Sequence, residues 1–143
     1  MMRQPLAWIV RAPLFLAAIF ALLFSTTLQA TTVPASKVMG ILMYADWCAS
    51  CKILDPKLQV VRPEFDRSDI LFLRFDFTDE GTTFQSNMLA QTIGLAELFE
   101  RNGGRTGYMV LVDRATGEII SIIRAGDSED EIHQMLREAT AGT

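Results

Sequence analysis

Trp47-Cys48-Ala49-Ser50-Cys51-Lys52 holds both cysteines of a 143-residue chain, two residues apart. A thiolate is a soft nucleophile, and a second thiol at this distance can displace whatever the first has captured. The alternative is an inert bridge. A ring this small restricts little of the unfolded chain, so loop closure would add little stability. Two cysteines also cannot form a disulfide scaffold. The spacing therefore points to thiol chemistry, with the pair itself as the redox group and no further cofactor.

The flanks must hold the pair in place. Val38-Met39-Gly40-Ile41-Leu42-Met43-Tyr44-Ala45 is an apolar run without alternation, which predicts a strand buried on both faces. Ile53, Leu54, Leu58 and Val61 follow with helical spacing, predicting a helix from about Cys48 to Val61 with Pro63 near its end. Cys48 would then stand at the helix start, where unpaired amides and the helix dipole favour an anion. Cys51 would lie shielded in the first turn. Lys52 could modulate a thiolate electrostatically, or point to solvent. Trp47 could shield the site and contact a partner, or simply pack beside the turn.

At these residues the chain resembles the thioredoxin superfamily, whose active sites read Trp-Cys-x-x-Cys-Lys after a strand. Pro56, five positions past Cys51, matches a helix-kinking proline common in that family, and could instead split two short helices. The resemblance implies an α/β chain with the minimal thioredoxin order, βαβαββα. It implies Cys48 as nucleophile, Cys51 as resolving thiol, and protein thiols or disulfides as partners, with an upstream electron donor or acceptor. Two positions depart from the family. Leu42, six residues before Cys48, replaces a carboxylate that many members bury near the resolving thiol. Thr106-Gly107 stands where members carry a cis-proline lining the substrate groove. Thr106 and Gly107, with Trp47, are the expected substrate contacts. Glycine at 107 is expected to leave open space beside Cys48 that proline would fill.

The rest of the chain suits that order. Asp69 to Asp76, dense in Ile, Leu and Phe, predicts a second strand, partly exposed near Arg74. Phe84, Met88, Leu89 and Ile93 mark a helix that Gly94 breaks. Leu95 to Glu100 continues as a short helix closed by Asn102-Gly103-Gly104. Tyr108 to Val112 and Glu118 to Arg124 form a hairpin around Asp113 to Gly117. Ser128 and Glu131 make a capping box for a last helix whose apolar face is Ile132, Met135, Leu136 and Ala139. His133, the one histidine, is expected at the surface.

The N-terminus reads differently. Arg3 and Arg11 precede the apolar stretch Ala12 to Phe24, then polar Ser25-Thr26-Thr27 and Leu28-Gln29-Ala30. This has the parts of a secretory signal over residues 1–30, cleaved after Ala30. Thirteen residues as a helix span about 20 Å, short of a hydrocarbon core of about 30 Å. The alternative is a retained membrane anchor facing the periplasm. Residues 31–36 form a short leader, and 37–143 the thioredoxin-like domain. Loss of the two arginines leaves 11 basic and 17 acidic residues, a net of −6. Such a balance excludes a nucleic-acid surface, and the destination implied is an oxidising compartment such as the bacterial periplasm. Two rival functions share the same residues. Cys48 and Cys51 could hold a soft ion such as Cu(I), or the fold could serve as a binding module without turnover.

Overall fold

The computed structural model describes residues 36–65 and 70–142. The signal or anchor, nearly all of the leader, and the start of the second strand at Asp69 lie outside the described residues. Four strands, β1 (Val38–Tyr44), β2 (Ile70–Asp76), β3 (Tyr108–Asp113) and β4 (Ile119–Arg124), form one sheet in the order β2-β1-β3-β4. β1 runs parallel to β2 and antiparallel to β3, so it is central and has a neighbour on each side. The β3–β4 pair is an antiparallel hairpin with a bulge at Leu111/Val112. This is the mixed, helix-flanked sheet expected of the βαβαββα order, with the second connection, from β2 to β3, carrying two helices instead of one.

Among the described residues, four α-helices flank the sheet: α1 (Ala49–Val61), continued by a 3-10 turn at Arg62–Glu64, α2 (Glu80–Thr92), α3 (Ala96–Asn102) and α4 (Glu129–Ala141). α1 runs unbroken through Pro56, so the proline does not split it. Lacking an N–H, Pro56 leaves the Lys52 carbonyl without its helical donor. Gly94, at φ +79, ends the α2 segment as the sequence predicts. Ser128 and Glu131 form the predicted capping box on α4, and Asp79 with Thr82 forms a second one on α2. Among the described residues, no helix is long and apolar enough to cross a membrane.

Alternation along β1 divides the core into two layers. Leu42 joins Leu54, Leu58, Met109, Ile123 and Leu136 on the α1–α4 side. Ile41 and Met43 face the other way, among Phe75, Leu98, Val110 and both cysteines. Because both faces are covered, five of the seven β1 residues are large side chains exposed by 2 % or less. That is why the run does not alternate in hydrophobicity. β2 is an edge strand. Its Arg74 is half-exposed, lies 4.0 Å over the Tyr44 ring and pairs with Asp55 at 3.3 Å.

Candidate active site

β1 delivers the chain to a turn at Asp46–Trp47, and α1 begins directly after it. The turn is held from the far end of β2. The Asp46 N–H donates to the Thr78 hydroxyl at 3.0 Å, and the Trp47 indole N–H donates to the Thr78 carbonyl at 3.2 Å. Phe77 N–H closes the same junction by donating to the Tyr44 carbonyl at 2.8 Å. Thr78 is thus a positioning residue that the sequence shows only as part of a turn-forming cluster. Trp47 remains 63 % exposed, so it does not pack as a buried ring beside the turn.

Cys48 is the N-cap of α1. Its extended backbone leaves Sγ facing the first turn, where the Cys51 amide donates to it at 3.1 Å. A capping position normally takes an oxygen acceptor, and sulfur fills that role here. Burial pushes the Cys48 thiol up. Hydrogen bonds from the Cys51 thiol, the Thr106 hydroxyl and the Cys51 and Ser50 amides outweigh it and leave the group below its ordinary value. Cys51 is fully buried, with Sγ 3.7 Å from the Met43 carbonyl. Burial, and then its own hydrogen bond to Cys48, push the Cys51 thiol up to about 11. Both thiols are free, and their acidities are displaced in opposite directions within one helical turn.

Thr106 and Gly107 do reach the cysteines. The Gly107 N–H donates to the Met43 carbonyl at 2.8 Å, extending the β1–β3 ladder by one bond. No described peptide bond is cis, and Gly107 adopts φ +94. The expected open space is absent. A β-carbon on residue 107 would lie 2.6 Å from Ser50 Cβ and 3.3 Å from Cys48 Sγ. Glycine is needed here to let two backbones approach, in a left-handed conformation that proline cannot reach.

A second residue that the sequence does not single out sets this loop. Asn102 is only 3 % exposed. Its amide donates to the Arg105 carbonyl at 2.9 Å and its side-chain oxygen accepts from the Tyr108 hydroxyl. The Asn102 carbonyl accepts from Arg105 Nε at 2.9 Å. A polar side chain this buried persists because its bonds are made, and these bonds span both sides of Thr106–Gly107. In the sequence Asn102 reads only as a helix terminator.

The remaining candidates are peripheral. Lys52 is exposed and forms no ion pair among the described residues, which favours its solvated reading. His133 pairs with Glu64 at 2.6 Å and meets the Phe65 ring edge-on, away from the cysteines. Leu42 sits in the opposite core layer, so it offers Cys51 no proton acceptor. Among the described residues, no group of three or more His, Cys, Asp or Glu side chains could hold a metal ion.

The family pattern described as Thioredoxin matches residues 22–97, just over half of the chain. The chain belongs to the thioredoxin family. Solved structures share its fold at low identity. A candidate protein disulfide isomerase from Bacteroides thetaiotaomicron is 20 % identical, with 73 % of this chain and 74 % of that one aligned and a TM-score of 0.50. DsbF of MTB is 18 % identical over 73 % and 82 %, at 0.49. The Malassezia sympodialis thioredoxin is 19 % identical over 76 % and 81 %, at 0.46. A search of curated proteins returned no match.

Proposed function

We propose that this chain is an exported thiol–disulfide oxidoreductase acting on protein cysteines. The observation that carries the reading is the placing of the two thiols: Cys48 Sγ caps α1 and accepts the Cys51 amide at 3.1 Å, while Cys51 is fully buried behind it. Cys48 is biased toward thiolate, and Cys51 is held as a thiol until it is needed.

In this mechanism Cys48 thiolate attacks one sulfur of a substrate disulfide, and the substrate S–S bond breaks to release one thiolate. Cys51 then loses its proton and attacks Cys48 Sγ, breaking the mixed disulfide and releasing the second substrate thiol. Two electrons have passed to the substrate, and the chain holds a Cys48–Cys51 disulfide. A dithiol donor restores it, and the same steps reversed oxidise a substrate dithiol. With Leu42 at the usual carboxylate position, the Cys51 proton leaves through water or the departing thiolate, which slows resolution. Trp47, Thr106 and Gly107 line the approach to Cys48. Ala49 and Ser50 bring neither charge nor ring, so the thiolate is held by hydrogen bonds and the helix end. That pattern suits a reductant or isomerase better than a strong oxidant.

Export follows from residues 1–30 read as a cleaved signal, with an oxidising compartment, such as the bacterial periplasm, as destination. A mature mass beginning at Thr31 supports this, and an intact Met1 form embedded in membrane overturns it. The redox reading is tested by trapping. Cys51→Ser should accumulate mixed disulfides through Cys48, and Cys48→Ser should not. Absence of any trapped species, or preferential alkylation of Cys51 in the reduced chain, refutes the assignment. Stoichiometric Cu(I) uptake without disulfide exchange would favour the metal-handling alternative.

A further inference from the structure

Beside the Thr106–Gly107 loop the surface opens into a trough between α3 and the β3–β4 hairpin. Two adjoining clefts of about 280 and 160 Å3 share Arg105, Tyr108 and Ile122. Leu98, Val110 and Ile119 continue the apolar floor, and Ile119 is 47 % exposed. Three guanidinium groups, on Arg101, Arg105 and Arg124, stand along the trough.

The charges are available. The Arg105 and Arg124 guanidinium groups donate only to backbone carbonyls among the described residues, of Arg101, Asn102 and Ile122, although the Arg124 backbone N–H donates to the Asp127 carboxylate at 2.6 Å. Arg101 meets Glu97 at 3.4 Å, but both side chains are largely exposed, and such a pair is readily exchanged. This cationic group lies on a chain of net charge −4, so it stands against the sign of the whole. Apolar floor and cationic rim together fit an extended polypeptide in which aliphatic residues alternate with carboxylates. A polyanion such as nucleic acid suits it poorly, since three cations on an acidic chain neutralise few phosphates. Tyr108 directly follows Gly107, so the trough begins where the loop faces Cys48.

We infer that the trough is a docking surface for an acidic, aliphatic segment of a partner protein, next to the cysteine delivered to Cys48. The inference rests on the proposed disulfide exchange for its purpose, but docking itself is independent of redox chemistry. Two short cysteine-free peptides test it, identical except that one carries Glu and the other Lys around a Leu-Val centre. Binding to the purified full chain is measured by calorimetry at low and high salt. The Glu peptide should bind roughly tenfold more tightly at low salt, with the gap closing as salt rises. The double variant Arg101→Glu/Arg124→Glu should reverse the preference. It should leave exchange with a small neutral disulfide, hydroxyethyl disulfide, unchanged. Equal binding of the two peptides by the unaltered chain overturns the proposal. So does a dimer that the double variant abolishes while neither peptide binds, since the trough would then be a self-contact. Discrimination between the peptides without exchange on hydroxyethyl disulfide leaves the docking surface standing and removes the redox reading.

Discussion

Gly107 and Ser50 stand so close that a β-carbon on residue 107 would fall 2.6 Å from that of Ser50. The family's proline therefore cannot be restored at this position. Gly107→Pro would demand a φ near −65° where the chain holds +94, and would delete the N–H bond to Met43. The expected cost is about 3 kcal/mol or more, read as a lower denaturant midpoint at unchanged slope. Stability equal to that of the parent would show that the loop does not hold this backbone.

Thr106 lends Cys48 a hydroxyl donor. Thr106→Val keeps the shape and removes that donor, so the Cys48 thiol should titrate higher. Iodoacetamide labelling near neutral pH should slow by roughly threefold to tenfold, since the thiolate lost with one charged hydrogen bond is partly offset by the greater nucleophilicity of the more basic sulfur. Thr106→Ser should restore the rate. Identical titration curves for the valine and parent forms would remove Thr106 from the site.

Stability of the reduced chain should depend on pH in two windows. The Cys51 thiol is raised in the folded state, so its contribution is full below about 9 and lost as pH climbs toward about 11. Cys48 is lowered, so its contribution is present above the ordinary thiol value and is lost as pH falls through its folded value. Thermal melts of the reduced protein should therefore decline on the alkaline side by an amount on the order of 2 kcal/mol. The Cys51→Ser form should lack that alkaline decline. A decline equal to the parent's would assign it to another group.

Asn102→Ala should be costly for a surface-loop neighbour. It strands the Tyr108 hydroxyl and the Arg105 carbonyl, and the two lost bonds with the unmet polar groups come to about 2–4 kcal/mol. Cys48 alkylation should also lose part of its rate, because Thr106 is held from both sides by this residue. A loss of stability without any change at Cys48 would confine Asn102 to a structural part.

Much of this arrangement was legible in local pattern. Cys48 at a helix start, the unbroken burial of β1, the Gly94 break and the Ser128–Glu131 capping box all follow from residues within a turn or two of one another. What escaped depends on distance in the chain. Thr78 reaches Asp46 and Trp47 only because β1 and β2 lie parallel, and their register is absent from either segment alone. At Gly107 the departure from proline is plain in the sequence, but the expectation of free space fails. Space depends on how near α1 approaches β3, which no motif encodes. Asn102 looked like a helix terminator because its partners, Arg105 and Tyr108, lie across a turn whose shape it creates.

The Met43 carbonyl receives Gly107 and lies against Cys51, which ties the two thiols to the order in which the chain assembles. Cys48 and Cys51 meet as soon as α1 winds. Their unequal acidity also draws on Thr106, which arrives only when β3 has crossed over and paired with β1. Closing a loop this long costs chain entropy before the contact offsets it. A nascent or truncated chain ending before β3 would thus carry the motif without its chemistry, two thiols open to whatever oxidant they meet. Selectivity of the pair therefore depends on the β1–β3 seam, and opening that seam takes it away.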